Sequence, residues 1–151
     1  MTTTQFVLPV GAALVVVFWW SGGRREAITL AVLFIVLPAA QAGLKFLVDR
    51  TRPADELVRA EISSPSFPAG HVMGPTVVYG SLLLLSLFSD RWGRWGRLIM
   101  VSWSAVVLAT TGIVNVYLGA HWPTDVLGGY LWGLVLLLPA VYVVCRRPDR
   151  S

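Results

Sequence analysis

The sequence predicts an all-α integral membrane bundle of five transmembrane helices, and three observations carry that expectation. Hydrophobic residues make up 56% of the 151-residue chain and charged residues only 13%, with a mean hydropathy of +0.69. A soluble domain is about a quarter charged, so the polar surface here falls short of covering a water-facing globule, and lipid must cover it instead. The apolar residues fall into five runs, at 5–20, 27–44, 72–88, 98–114 and 126–145. At about 1.5 Å rise per residue, such runs are near the minimum that crosses a hydrocarbon core. The basic residues lie between these runs rather than within them, as membrane-flanking arginines do. The whole chain, 1–151, reads as one membrane domain with no internal repeat, linker or low-complexity segment.

The first run ends in Phe18-Trp19-Trp20, aromatics suited to the headgroup layer. No basic residue precedes it, and Ser21-Gly-Gly-Arg-Arg is a poor exit for a signal peptide, so it is assigned as a helix. The second run is interrupted by Pro38 and Gln41, and a kink at the proline is tolerable where neighbouring helices cover it. Residues 45–70 form the longest polar interval. They hold eight of the twenty charged residues and Pro53, Pro65 and Pro68, and read as a loop with a short helical piece around 54–61. After the third run, Ser89 to Arg97 reads as a tight turn, its arginines among headgroups and its tryptophans beside them. Interleaved Arg and Trp also suit nucleic acid, but a membrane edge accounts for them, and no nucleic-acid partner is expected. The lone Cys145 excludes an internal disulfide.

Five crossings sort the loops onto two faces. One carries Arg24, Arg25, Arg91, Arg94, Arg97, Arg146, Arg147 and Arg150. The other carries Lys45, Arg50, Arg52 and Arg59, with Asp49, Asp55, Glu56, Glu61 and Asp125. Eight cations against four place the face with eight arginines in the cytoplasm. Three unusual stretches then meet on the outer face: Lys45 to Pro53, Pro68-Ala69-Gly70-His71, and Asn115 to Asp125.

Each stretch has a chemistry. Lys45 and Arg52 are seven residues apart, so they share a face if the second helix continues past the membrane. They read either as an anion clamp or as two snorkelling residues at a helix end. Nothing in the spacing separates Arg50 or Arg59 from ordinary loop charges. Pro68-Ala69-Gly70-His71 opens the third helix. Gly70 permits close backbone approach, and His71 is placed to protonate a leaving group. Pro123 suits the first turn of the fifth helix, from which Asp125 can reach one ring nitrogen of His121 and leave the other as a nucleophile or base. His71, His121 and Asp125 could alternatively hold zinc, but the adjoining Lys45 and Arg52 would repel a dication, so neither metal nor cofactor is expected. No serine sits in a Gly-x-Ser-x-Gly turn, and Ser66 is the only nearby candidate for a serine nucleophile.

These stretches resemble the type 2 phosphatidic acid phosphatase (PAP2) superfamily, which includes vanadium haloperoxidases and glucose-6-phosphatase. Its pattern runs Lys-x6-Arg-Pro, Pro-Ser-Gly-His, then Ser-Arg-x5-His-x3-Asp. Lys45 to Pro53 matches the first part; Pro68 to His71 matches the second, with Ala69 for serine. Val114-Asn115-x5-His121-x3-Asp125 keeps the last spacing but replaces serine and arginine. The resemblance implies a PAP2/haloperoxidase-like helical core, usually of six helices where five are counted here. It implies that His121 forms a phosphohistidine, oriented by Asp125, while His71 protonates the leaving oxygen and later assists water. It assigns the phosphoryl oxygens to Lys45, Arg52, Gly70 and the positions of Ala69 and Asn115.

The expectation is a metal-independent membrane phosphatase acting on a lipid phosphate or pyrophosphate, such as polyprenyl pyrophosphate, phosphatidate or phosphatidylglycerol phosphate. Its site would face the extracytoplasmic side of the cell or plasma membrane. The alternative is a weakly active or non-catalytic binder of lipid phosphates, because Asn115 and Ala69 replace the family arginine and serine. A haloperoxidase is disfavoured, since that activity usually sits in soluble proteins.

Overall fold

The computed structural model describes residues 4–52, 64–88 and 92–145, and no strand occurs among them. Five helices run in order: α1 (Thr4–Trp20), α2 (Arg24–Val48), α3 (Gly70–Phe88), α4 (Arg94–Tyr117) and α5 (Pro123–Cys145). They fall on the five predicted runs. Helices α2 to α5 are long and apolar enough to cross a membrane, while the apolar part of α1 described with side chains, Pro9–Trp20, is shorter. The helix expected around 54–61 and the residues 89–91 lie outside the described residues.

All five helices extend beyond their apolar runs, α2 and α4 the furthest. α4 begins at Arg94 rather than 98, so Arg94 and Arg97 belong to its first turn and not to a loop. α2 continues past residue 44 through Lys45 to Val48. Hydropathy marks where a helix leaves hydrocarbon, whereas the backbone remains helical until something caps it, and long basic side chains bridge the difference. The cap on α2 is Asp49, in the left-handed conformation (φ 40°, ψ 45°), with its N–H donating to Lys45 O at 2.9 Å. Aspartate is among the few non-glycine residues that tolerate this region. α2 passes through Pro38 as one helix.

α3 is the hub and packs against all four other helices. Its Met73, Val77, Val78 and Leu85 meet Phe18 of α1, Leu30, Leu33, Phe34 and Leu37 of α2, and Ala140 of α5 in one apolar core. Its closest partner is α5, and small residues bring the two together. A Cβ on Gly129 would stand 2.8 Å from Ala69 O, and one on Gly133 would stand 2.7 Å from Thr76 Cβ. In lipid, where apolar burial between helices drives little association, such close backbone approach supplies the packing. Tyr130 ties α5 to α4: its hydroxyl donates to Leu108 O and accepts from Gly112 N–H at 3.0 Å. α4 buries little else. Trp95, Ile99, Trp103, Val106, Ile113 and Tyr117 are exposed along it, a surface that the bilayer covers.

The chain crosses back and forth so that the C-terminal ends of α2 and α4 meet the N-terminal ends of α3 and α5. The described residues of the three stretches singled out in the sequence lie at that shared end.

Candidate functional site

α5 starts with Pro123, as its fixed φ favours, and Asp125 occupies the third helical position. From there its carboxylate Oδ2 accepts the backbone N–H of Trp122 at 3.0 Å, the reciprocal half of a capping box. The main-chain carbonyl of Asp125 accepts the N–H of Ala69 at 3.0 Å, which locks the turn before α3 onto the start of α5. The Phe67–Pro68 peptide in this turn is cis. His121 and Asp125 are therefore held on a rigid corner, and both are buried, at 2% and 0% exposure.

The contact between them differs from the expected one. His121 Nδ1 and Asp125 Oδ2 are 3.9 Å apart, too far for a hydrogen bond. Ser66 stands between them. Its hydroxyl donates to Asp125 Oδ2 and lies 3.4 Å from His121 Nδ1. The geometric reason is that the carboxylate is already turned toward the Trp122 amide to cap the helix. Sequence reasoning weighed Ser66 only as a serine nucleophile. Its one signal was its position just ahead of the Pro-Ala-Gly-His turn.

Arg50, indistinguishable in the sequence from an ordinary loop charge, has a defined place in the site. Its Nη1 donates to Asp125 Oδ1 at 2.9 Å and to Thr124 Oγ1 at 2.6 Å, and its guanidinium lies over the Trp122 ring at 5.6 Å. The expectation that Lys45 and Arg52 share a helical face fails, because Asp49 ends α2 between them. They still converge, by a different route. Beyond Val48 the chain is no longer helical, and residues two apart point the same way, so Arg50 and Arg52 both turn toward the α5 corner. Trp122 Nε1 donates to Thr51 O at 3.2 Å and completes the tie.

Arg52 reaches the nucleophile candidate itself. Its Nη1 donates to Ala120 O at 2.8 Å and stands 3.4 Å from His121 Nε2, while Nε and Nη2 donate to Ser64 O and Ser64 Oγ at 3.0 and 3.2 Å. Burial lowers the Arg52 pKa, and Asp125 opposes that shift. Lys45 Nζ donates to Pro65 O at 2.6 Å, at the edge of the same site. His71 is exposed in the first turn of α3, its ring centroid 6.1 Å from that of His121. Gly70 supplies the first amide of α3, where a helix offers no carbonyl partner. A Cβ at Gly70 would stand 2.6 Å from Nε2 of Gln41, the polar residue that interrupted the second apolar run. Ala69 is fully buried with its amide engaged as described. Asn115 lies in the last turns of α4, where its Nδ2 donates to Thr111 O at 2.8 Å, back onto its own helix. Arg59 lies outside the described residues.

Burial pushes the His121 pKa down to about 4; Arg52 and His71 push the same way, while Asp125 and the backbone of Ser66 oppose them. At neutral pH the ring is uncharged, as a nucleophile requires. Among the described residues no group of three His, Cys, Asp or Glu side chains is arranged to hold a metal ion.

A helical integral membrane protein with a neutral histidine, a buried carboxylate and converging cations at one end of the bundle is thus the class that fold and site define. Within that class the chain belongs to the PAP2 superfamily, whose pattern matches residues 26–149. The chain is 36% identical over 93 residues to phosphatidylglycerophosphatase B of Bacillus subtilis, a match covering 62% of this chain and 45% of that one. It is 28% identical over 149 residues to an undecaprenyl-diphosphatase of Sulfolobus acidocaldarius, covering 95% of this chain and 66% of the relative. It is 32% identical over 141 residues to the putative undecaprenyl-diphosphatase YbjG of Escherichia coli, covering 89% and 66%. The chain thus spans about half to two thirds of the length of these relatives. Its fold matches the crystal structure of a transmembrane PAP2-type phosphatidylglycerolphosphate phosphatase from Bacillus subtilis with a TM-score of 0.71 at 26% identity, covering 97% of this chain and 71% of that one.

Proposed function

We propose that this protein is a membrane phosphatase that removes phosphate from a lipid phosphate or pyrophosphate through a phosphohistidine on His121. The observation that carries the reading is the approach of Arg52 Nη1 to His121 Nε2 at 3.4 Å, with the His71 ring beside it. A guanidinium only donates, so it faces the lone pair of that nitrogen and stands where phosphoryl oxygens would gather.

In the proposed reaction His121 Nε2 attacks phosphorus in line with the leaving oxygen. The P–O bond breaks, its electron pair goes to that oxygen, and His71 supplies the proton. Water then attacks the phosphohistidine, His71 takes the water proton, and the P–N electron pair returns to Nε2. Lys45, Arg52 and the Gly70 amide stabilise the equatorial oxygens throughout, a role that fixed protein cations can fill without a metal. Asp125 keeps the ring oriented. The substrate tail would lie in the bilayer beside the bundle, and the site would face the extracytoplasmic side.

Two positions favour a second reading. Ala69 and Asn115 stand where the family pattern carries serine and arginine, and their donors are engaged by Asp125 O and Thr111 O. A weakly active or non-catalytic binder of lipid phosphates is the form that reading takes. Purified protein is assayed against phosphatidate, phosphatidylglycerol phosphate and a polyprenyl pyrophosphate. Phosphate release from one of them, unaffected by excess EDTA, inhibited by vanadate and abolished in His121→Ala, is the expected result. Retained lipid-phosphate binding without release from any substrate would establish the binder instead.

A further inference from the structure

We infer that Ser66 is the positioning residue of the site: its hydroxyl passes the orienting effect of Asp125 to His121. The inference rests on the proposed role of His121 and adds a residue that the family pattern does not contain.

The directions of the hydrogen bonds follow from what each group can do. Arg52 has no acceptor, so a hydrogen bond across its 3.4 Å approach to Nε2 uses a lone pair on that nitrogen. A neutral imidazole with a lone pair on Nε2 carries its proton on Nδ1. Nδ1 faces Ser66 Oγ at 3.4 Å, and the hydroxyl proton of Ser66 is already committed to Asp125 Oδ2. Oγ therefore has only lone pairs to present to the ring and must accept from Nδ1–H. The chain reads Nδ1–H to Ser66 Oγ–H to Asp125 carboxylate. Asp125 in turn is held by Arg50 Nη1 and the Trp122 amide, and neither lies on the ring.

Two further features fit. Ser66 is fully buried, so water cannot take its place without a cavity opening. Its own N–H donates to Arg50 O at 2.8 Å, which ties the hydroxyl to the same segment that delivers Arg50 and Arg52. When Nε2 bonds phosphorus the ring becomes cationic, and Nδ1–H becomes a stronger donor toward an acceptor backed by a carboxylate. Ser66 touches neither substrate nor phosphorus and acts only through His121.

The chain contains two histidines, His71 and His121. The experiment is 15N NMR of histidine-labelled protein in detergent at pH 7, with the two rings assigned through a His71→Gln variant. In the native protein Nε2 of His121 gives the unprotonated, pyridine-type signal and Nδ1 the protonated one. Ser66→Ala is expected to remove this preference and give an averaged or reversed tautomer pattern. Ser66→Thr keeps the hydroxyl and restores it, and Ser66→Cys, which adds no methyl, gives an intermediate pattern. Turnover is expected to follow, with kcat of Ser66→Ala down on the order of 10- to 100-fold and KM within about twofold. A folded Ser66→Ala protein with the native His121 pattern overturns the inference. So does a Ser66→Thr protein that keeps the hydroxyl but shows the alanine pattern. The tautomer is read without substrate, so it stands apart from the phosphatase reading: native protein with the expected pattern but no phosphate release would sink only the latter.

Discussion

His121 shows how far one residue depends on its surroundings. Its ordinary pKa of 6.5 is pushed down to about 4, chiefly by burial and then by the charges of Arg52 and His71. In the proposed mechanism the reacting form is the free base, so a lowered pKa extends activity on the acid side. The acid limb of kcat/KM is expected near pH 4 rather than 6.5. Removing the Arg52 charge by Arg52→Gln relieves one of the lowering causes. The limb should then move up toward 6.5, with a rise in KM from the lost phosphate contact. A pH–rate profile of both proteins checks this, and a limb that stays put or moves down contradicts it. Arg50 makes the complementary case, because it holds the carboxylate and not the phosphate. Arg50→Gln leaves a buried carboxylate short of its cation, a loss that its partly exposed position softens. Its kcat is expected to fall about 10- to 100-fold with little change in KM. A KM effect without a kcat effect would instead place Arg50 on the substrate.

At the scale of elements, the interface between α3 and α5 both builds the bundle and sets the site. Gly129 lies against Ala69 O, and Ala69 N–H is in turn bonded to Asp125 O. Crowding that point should therefore shift the turn leading into His71 as well as loosen the helices. Gly129→Leu is expected to cost about 1–3 kcal/mol in overpacking and to lose most activity. Gly43→Ala provides the comparison. It sits mid-helix in α2 with open space around it, so alanine should be neutral or stabilise by up to about 1 kcal/mol through helix propensity. Thermal unfolding in one detergent, with phosphate release measured on the same samples, checks both. Equal behaviour of the two variants would mean that the α3–α5 contact does not control the site.

For the whole molecule, the basic residues imply an orientation. Arg24, Arg25, Arg94 and Arg97 gather at the end of the bundle opposite Lys45, His71 and His121. In a Cys145→Ser background, a cysteine at Ser64 is expected to react with an impermeant reagent on intact cells, and a cysteine at Arg94 only after permeabilisation. Reversed labelling would put the site on the cytoplasmic side.

Much of this molecule was legible in one dimension. Five apolar runs marked five helices because hydrocarbon solvent leaves the backbone few alternatives to the helix. Pro123 and Asp125 announced the start of α5, and the ordered spacing of Lys45, Arg52, His71, His121 and Asp125 announced the PAP2 superfamily, because a shared chemistry needs particular side chains at particular separations. The partners within the site were a different matter. That Asp125 turns to cap its own helix and meets His121 only across Ser66, that Asp49 ends α2 and swings Arg50 onto the carboxylate, and that Asn115 bonds back to Thr111 all depend on angles and distances between segments far apart in sequence. A hydrogen bond is decided within a few tenths of an ångström. Residue spacing specifies which side chains can meet at one end of the bundle, and only the packed helices decide which of them touch.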